Sequence, residues 1–322
     1  MHNDKERYIA WAETQEDLPI FFRPWYLDLV SHYGTWDVAI ASSKSGNTEG
    51  VWVWYTTKRY NRKFIVMPPL TPFGGIWIPK TTSSKAVYSI QKQTNIIRQL
   101  IGKIPSDAVL LRQTFTPEFS NWLPLYWKGF RQTTRYTFVI EDIRKWSPDD
   151  TATNVRNKIH KASGVLTLRK DIAPDTVFEQ VSGIMEQKGM PLIWSKDFFL
   201  SLDKELNRRG QRLILGAADS AGNIHATAYI LLDHNTAYLL MLGSDKNLRR
   251  SGAIPLIIYH AIQESGRHVN RFDFEGSVLE SLFDLFSGFG GKMTPCYNIY
   301  KTKNFFLDIV YQWKMHRDTF NK

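Results

Sequence analysis

Apolar residues fall into distinct strand-like and helix-like patterns between residues 236 and 300. Apolar side chains dominate 236–243, a basic turn follows up to residue 253, and apolar side chains then recur at helical spacing. The remainder predicts a strand at 270–274, a short helix and a closing strand. In an open α/β sheet, ligands favour the turn that joins a strand end to a helix, because the N–H groups at a helix N-terminus attract anions. We therefore expect the functional site in this stretch.

The rest of the chain alternates strands and helices in two similar series. The first half predicts a strand at 7–12, a helix near 18–33, three strands, a helix at 84–101, and then strand, helix and strand. On the helix at 84–101, the apolar face comprises Val87, Ile90, Thr94, Ile97 and Ile101. The second half opens on a basic amphipathic helix at 153–163 and then nearly repeats the first series. The pattern predicts an α/β fold with mixed sheets, built from two tandem domains of the same topology.

Polar segments and the last helical pattern predict the domain limits. Residues 143–150 contain a Ser-Pro break and a helix cap, which predicts domains at 1–145 and 146–304. Residues 305–322 form a further helix whose apolar stripe we expect to dock on the first domain, because exposure would forgo the burial of large side chains. The stripe consists of Phe306, Ile309, Val310 and Trp313.

The amino-acid composition and the net charge limit the class of protein and the kind of partner that we expect. The chain has 322 residues, of which 43% are hydrophobic and 22% charged, which is typical of a globular protein. Its net charge of +10 favours an anionic partner such as a phosphorylated cofactor, RNA or inner-leaflet lipid. No apolar run is long enough to span a membrane and no signal peptide is recognisable, so we expect a cytoplasmic protein. The single cysteine, Cys296, excludes an intrachain disulfide, and the histidines lack metal-ligand spacing, so no metal is expected.

The order of elements resembles the GNAT acyltransferase fold. A tandem of two such domains, with a basic helix opening the second, resembles the FemAB-like branch. The resemblance is carried in the second half by TNVRNKIHKA, LGSDKNLRRSGA and FDFEGS…GFGG, and in the first half by LPIFFRPWYLDLV, WDVAIA and MPPLTPFGG. It implies a bacterial enzyme that transfers an acyl or aminoacyl group from acyl-CoA or aminoacyl-tRNA to an acceptor amine, such as that of a cell-wall precursor.

The basic turn is the predicted donor site. GNAT enzymes bind pyrophosphate with an Arg/Gln-x-x-Gly-x-Gly/Ala loop, and Arg249 and Gly252 match this pattern, whereas Ile254 replaces its final small residue. A β-branched residue there restricts close approach of a phosphate. A solvated basic turn with no ligand is the alternative. The predicted donor-binding residues are Gly243, Arg249, Arg250, Gly252 and Ala253.

Two carboxylates at the second strand are the predicted catalytic pair. Asp273 and Glu275 alternate with Phe274 and would share one face of a strand, where one can act as base and the other as its orienting partner. We expect the backbone near Gly243 and Ser244 to stabilise the oxyanion. Alternatively, one carboxylate pairs with Arg271 or caps the following helix, for which Ser277 is an N-cap candidate.

The predicted substrate-binding residues lie in three places. Arg156, Lys158 and Lys161 lie on the basic helix and can clamp a phosphate or an RNA backbone, or form an ordinary solvated face. Trp194 lies in a helix connection that contributes to the acceptor site in GNAT folds, and buried packing is its alternative role. Arg23, Trp25 and Tyr26 are expected beside a Pro-rich loop at 68–75, where they can line an acceptor groove or simply pack.

The combined prediction is an acyl- or aminoacyl-transferase whose second domain holds the donor and whose interdomain cleft holds the acceptor. An amine must lose a proton when it attacks an activated carbonyl, which is the reason for a general base. The competing prediction is a non-catalytic basic binding module that retains the fold but has lost the cofactor loop.

Overall fold

The structure, a computed structural model, describes residues 2–79, 86–276 and 280–320. Its α-helices are α1 (His2–Glu13), α2 (Pro24–Val30), α3 (Ala86–Ile101), α4 (Leu123–Tyr126), α5 (Thr153–Ser163), α6 (Pro174–Gln187), α7 (Lys196–Arg208), α8 (Ala253–Ser265), α9 (Glu280–Ser287) and α10 (Phe305–Phe320). Its strands are β1 (Thr35–Ser42), β2 (Thr48–Arg59), β3 (Arg62–Val66), β4 (Gly75–Trp77), β5 (Leu110–Thr114), β6 (Arg131–Ile140), β7 (Thr167–Arg169), β8 (Arg212–Ala218), β9 (Ile224–Leu232), β10 (Thr236–Ser244), β11 (Arg271–Asp273) and β12 (Lys292–Thr302). The predicted mixed α/β class is confirmed. None of the helices among the described residues combines the length and the hydropathy that a bilayer span requires.

The chain divides into two compact units. Unit 1 comprises Met1–Thr134 and Cys296–Lys322, and unit 2 comprises Arg135–Pro295. The division therefore falls inside β6 and β12, whereas the sequence suggested a break at 143–150. That segment is a structured part of unit 2, because Ser147 and Asp150 form a capping box and the Trp146 indole donates a hydrogen bond to the Phe289 carbonyl at 2.8 Å.

Unit 1 contains a mixed sheet with the order β1-β2-β3-β5, and the C-terminal part of β12 pairs with β5. β1 and β2 are antiparallel, β3 and β5 are parallel, and β4 pairs with β2. Trp52 is fully buried in the core of this unit, where its indole donates to Gln113 at 2.7 Å. The predicted face of α3 is wrong in part: Val87 and Ile90 are exposed, and the helix instead buries Ile96, Ile97 and Leu100.

The first element of unit 1 is a helix, so the predicted strand at 7–12 is wrong. Tyr8 and Ala12 lie one helical turn apart and are both fully buried, which is the spacing of a helix face. The Arg23 guanidinium donates to the Ala12 carbonyl at 2.8 Å and to the Glu16 carbonyl at 2.9 Å. These bonds satisfy carbonyl groups at and beyond the end of α1 that have no partner within the helix.

Unit 2 contains the sheet order β6-β11-β10-β9-β8-β7 with helices on both faces. Alternate residues of β9 point to opposite faces. Ala228 and Ile230 belong to the hydrophobic core that also contains the apolar face of α8. Thr227 and Tyr229 point the other way, and their hydroxyls donate to Gln180 on α6 and Asp203 on α7. The sheet therefore lies between α8 on one side and the pair α6 and α7 on the other.

Helix α10 packs through the face opposite the predicted stripe. Asp308 is buried and pairs with Arg131 at 2.8 Å, and the Tyr311 ring lies 4.9 Å from that of Tyr300, measured between centroids. The predicted stripe faces outward: the exposed fractions are 78% for Phe306, 50% for Ile309, 62% for Val310 and 63% for Trp313. The prediction that this stripe docks is therefore wrong, because an ion pair and an aromatic contact decide which face is buried.

Candidate functional site

The sheet of unit 2 opens between β10 and β11. The two strands pair in parallel only from Thr236↔Arg271 to Tyr238↔Asp273, although β10 continues to Ser244. On its other edge β10 pairs with β9 over its whole length, with a bulge between Leu239 and Met241. A bulge leaves one residue, here Leu240, outside the regular ladder. Beyond Tyr238, β10 therefore presents a bulged edge that β11 does not cover.

Asp273 ends β11 at the start of this opening. The residue is buried, and its Oδ1 atom accepts hydrogen bonds from the Thr137 hydroxyl on β6 and from the Glu275 backbone N–H, the latter at 2.8 Å. The Asp273 carboxylate thus fixes the backbone of the residue two positions ahead. Its contacts make it a positioning group for Glu275.

Glu275 is the titratable group of the opening. The residue as a whole is half-buried, but its Oε1 atom is buried and has no hydrogen-bond partner among the described residues. Burial of the carboxyl, with a further contribution from the negative charge of Asp273, raises the pKa of Glu275 well above its ordinary value. A carboxyl with such a pKa is a stronger base when ionised than an exposed glutamate. Strongly perturbed carboxyls in open sheet edges are typical of functional sites.

The turn after β11 has an unusual backbone. Glu275 has a backbone φ of +59°, a left-handed conformation that residues other than glycine rarely adopt. Gly276 follows with φ +62°. A Cβ atom at Gly276 would lie 1.9 Å from the Tyr136 carbonyl oxygen, so only glycine fits there. Glu275 is therefore not on the strand face that its alternation with Asp273 predicted. Ser277, the predicted helix cap, lies outside the described residues.

The structure does not bring Ser244 together with the two carboxylates. Asp273 lies beside Tyr238, and Ser244 is six residues further along β10, a distance of about 20 Å at the usual rise per residue. One carbonyl group cannot contact both positions. Gly243 is buried, and a side chain there would collide with Thr227 and Gln180, so close packing of α6 explains this glycine.

The basic turn lies at the far end of the uncovered edge. Gly252 has φ +75° and caps α8, and a Cβ built on it would lie 3.3 Å from the Lys158 carbonyl oxygen and 3.4 Å from the Ala162 Cβ. The C-terminal half of α5 therefore lies directly against this turn. The two basic segments that the sequence predicted separately are neighbours within unit 2.

Four cations of these segments are available to an anion. Arg249, Arg250, Lys158 and Lys161 are exposed, and none of them forms an ion pair with another described residue. Arg156 differs, because its guanidinium pairs with Asp149 at 3.0 Å. Its positive charge is therefore already compensated.

Two apolar residues begin α8 behind the turn. Ala253 is buried in the core of unit 2, and Ile254 packs against the same core. The Ile254 side chain is thus directed at the sheet, and its departure from the GNAT loop pattern does not place a bulky group over the turn. The Ser251 hydroxyl is buried and lacks a hydrogen-bond partner among the described residues.

The remaining predicted substrate residues contribute mainly to packing. Trp194 is buried between α6 and α7, with its ring 5.6 Å from Phe178 and 5.7 Å from Phe199. In unit 1, the Tyr26 hydroxyl donates to the Leu70 carbonyl at 2.5 Å, which places it against the loop at 68–75 as expected. Trp25 is half-buried and touches Tyr26 edge to face. Arg23 is likewise half-buried and engaged in the hydrogen bonds described above, and Tyr26 is fully buried.

Three features of the site were not predicted from the sequence. Thr137 is 136 positions from Asp273, and no local pattern marks their contact. The bulge at Leu240 lies in an uninterrupted apolar run and has no sequence signal. Gly276 does have a sequence signal, since a glycine shortly after a strand often marks a special backbone conformation. Among the described residues, no group of three His, Cys, Asp or Glu side chains could hold a metal ion.

Residues 150–279, which contain this opening and the basic turn, match the family model of an acetyltransferase (GNAT) domain. The predicted resemblance to the GNAT fold is confirmed, and the match supports acyl transfer as the general class of activity. Comparison of the sequence with curated proteins finds no match.

Solved structures similar to the whole chain belong to the same fold. The crystal structure of FemX has a TM-score of 0.61 at 12% identity, covering 91% of this chain and 95% of that chain. L-PGS from Bacillus licheniformis has a TM-score of 0.54 at 11% identity, covering 95% and 94%. A tandem GNAT protein from the clavulanic acid biosynthesis pathway has a TM-score of 0.50 at 13% identity, covering 93% of each chain. These similarities confirm the predicted likeness to tandem, FemAB-like GNAT structures.

Proposed function

We propose that this protein transfers an acyl or aminoacyl group from an elongated anionic donor to an acceptor amine. The observation that carries the proposal is the uncovered edge of β10, which has Glu275 near one end and the basic turn at the other. A donor that fits must hold its negative charge well away from its activated carbonyl. Acyl-CoA and the acceptor end of aminoacyl-tRNA both meet this requirement, as the GNAT match of residues 150–279 suggests.

The basic turn fits a phosphate group. The left-handed Gly252 lacks a side chain where α5 approaches, and the first N–H groups of α8 provide a helix N-terminus. Arg249 and Arg250 supply compensating charge, and Lys158 and Lys161 lie on α5, which packs against the turn. The donor phosphate would be held by these residues, and the uncovered backbone of β10 would hold the rest of the donor by hydrogen bonds.

Glu275 is the proposed general base. It takes the proton of the acceptor amine, directly or through one water molecule, as the amine nitrogen forms a bond to the donor carbonyl carbon. The bond from that carbon to the donor sulfur or oxygen then breaks, and the leaving group takes up a proton. Asp273 keeps Glu275 in position and raises its pKa. The backbone at the Leu240 bulge, rather than at Gly243 and Ser244, is the proposed hydrogen-bond donor to the oxyanion.

Direct titration with the two donor classes tests this proposal. Acetyl-CoA and aminoacyl-tRNA are added separately to the full-length protein, and binding is followed by intrinsic Trp fluorescence and by calorimetry. A transferase is supported if one donor binds saturably to the wild type and to Glu275→Gln, while Glu275→Gln no longer transfers the acyl group to a model amine. Binding of uncharged tRNA or RNA as tight as that of the charged form, with no transfer to any amine, supports the non-catalytic binding module instead.

We also propose an acceptor and a cellular location for the transfer reaction. An amine-bearing cell-wall precursor in the bacterial cytoplasm is the proposed acceptor, in keeping with the likeness to FemX. Trp25 in unit 1 is the proposed aromatic contact for it. Replacement of Trp25 by Ala is then expected to raise the KM for the acceptor without changing donor affinity.

A further inference from the structure

Helix α10 presents an apolar face that is largely exposed to solvent. Phe306, Ile309, Val310 and Trp313 follow the i, i+3, i+4, i+7 spacing of one helix face, and each is at least half exposed. A contiguous face of four large apolar side chains that is exposed to solvent usually marks an interaction site. The partner must therefore be one that accepts large aromatic and branched side chains.

The orientation of this face is fixed by contacts on the opposite side of the helix. Asp308 is buried and bound to Arg131, and its Oδ2 atom also accepts a hydrogen bond from Gln312 at 2.9 Å. Tyr311 packs on Tyr300. Asp308 and Tyr311 are three residues apart and lie on the face opposite Ile309 and Val310. The apolar face is thus held outward by a specific polar anchor.

The charged residues of the terminal segment are predominantly basic. Residues 301–322 contain five Lys or Arg and two Asp, and one of those two, Asp308, is turned inward and neutralised. Lys301 and Lys303, which precede the helix, are exposed. The sequence continues with Lys314 and Arg317. An outward apolar face in a predominantly basic segment, preceded by the exposed Lys301 and Lys303, is complementary to an anionic surface with an apolar interior.

We propose that α10 docks the protein on an anionic lipid bilayer. The helix lies in the plane of the membrane surface, with Ile309 and Val310 among the acyl chains and Trp313 at the level of the headgroups, where tryptophan is favoured. The exposed Lys301 and Lys303 and the net charge of +10 add attraction to anionic headgroups. This inference concerns unit 1 and does not depend on the transfer reaction proposed for unit 2.

Vesicle cosedimentation of the full-length protein tests the proposal. The probes are phosphatidylcholine vesicles with and without about one quarter phosphatidylglycerol, at low and at high salt. The test variant is the double substitution Ile309→Ser with Val310→Ser. A matched control is available in unit 2, where Ile193 and Val165 are exposed by 70% and 65%, and the double substitution Ile193→Ser with Val165→Ser changes the same residue types.

We expect binding to the anionic vesicles at low salt, weaker binding at high salt, and a loss of at least about tenfold in the test variant only. Equal binding by the test and control variants overturns the proposal, as does the absence of wild-type binding at low salt. A second copy of the chain is the competing occupant: if the wild type sediments as a dimer in solution, the test variant as a monomer, and neither binds vesicles, the face is a contact between copies and the proposal is wrong. A melting curve confirms that the test variant remains folded.

Discussion

The Asp273 carboxylate accepts a hydrogen bond from the backbone N–H of Glu275 at 2.8 Å. This hydrogen bond and the negative charge of Asp273 act on Glu275 in two ways: the first fixes its left-handed backbone, and the second adds to the effect of burial on its pKa. Asp273→Asn retains an acceptor oxygen for the N–H but removes the charge. We expect the acidic limb of the pH profile of kcat/KM to move to lower pH. Asp197→Asn, a change at an exposed carboxylate on α7, is the control and should leave the profile unchanged.

Glu275 also makes the stability of the protein depend on pH. Its folded-state pKa is raised above the unfolded value, so the folded protein binds more protons than the unfolded chain as pH rises from about 4.3 toward the folded pKa. The free energy of unfolding therefore falls over that range and stays reduced above it. The substitution Glu275→Gln removes this loss of unfolding free energy.

Urea denaturation of wild type and Glu275→Gln at a series of pH values measures the effect. We expect the two proteins to be equally stable near pH 4 and the variant to be more stable near pH 8, by about 1.4 kcal/mol for each pH unit by which the folded pKa exceeds the unfolded one. A constant difference at all pH values would mean that the Glu275 carboxyl is not buried as described.

Gly276 is required by both its backbone angle and its surroundings. Ala at this position would have a strained φ and would place its Cβ atom 1.9 Å from the Tyr136 carbonyl oxygen. Gly189 has nearly the same φ, +61°, but a Cβ there meets no atom within 4 Å. We expect Gly189→Ala to cost about 1 kcal/mol of unfolding free energy, the cost of the left-handed conformation alone. Gly276→Ala should cost several times more. Similar losses in the two variants would contradict the close approach of β6 to this turn.

The Asp308–Arg131 pair is expected to hold α10 on unit 1. Asp308 is buried while Arg131 is half exposed to solvent, which screens the interaction, so Asp308→Ala should lower the unfolding free energy by about 1 kcal/mol. Asp149→Ala breaks a pair in which the Asp149 side chain is 91% exposed, and it should change the unfolding free energy by less than about half as much. Thermal melting monitored by circular dichroism compares the two. Equal effects would mean that the burial of Asp308 adds nothing.

Local periodicity was sufficient for most elements and insufficient for the choice of helix faces. Helix α5 has the residue limits that its pattern predicts, 153–163, because it combines a clear apolar period with turn residues at its ends. The stripe of α10 was assigned to the wrong surface, since its orientation depends on Arg131, far away in the chain. The segment at 7–12 has too few residues to separate helical from strand spacing, and the burial of Tyr8 and Ala12 resolves it.

The candidate site could be predicted only in part from the sequence, because it too depends on contacts between residues far apart in the chain. The basic turn and the Asp-Phe-Glu-Gly run are local signals, and they lie near opposite ends of the edge of β10 that β11 does not cover. That Lys158 lies against Gly252 depends on how α5 packs on α8. That Ser244 lies far from Asp273 depends on strand register, which the sequence does not specify for a short parallel pair.

The turn at Gly252 is proposed to hold the phosphate of the donor, and the donor affinity of the Arg249→Ala, Arg250→Ala double variant tests this role most directly. Calorimetric titration with acetyl-CoA and with aminoacyl-tRNA is carried out at low and high salt, with Arg156→Ala as the control because Arg156 is already paired with Asp149. For each arginine–phosphate hydrogen bond that the substitutions remove, we expect donor binding to weaken by about tenfold to a hundredfold, with a smaller difference at high salt. Arg156→Ala should bind the donor like wild type. Unchanged donor affinity in the double variant would contradict the account and identify the turn as an ordinary solvated one.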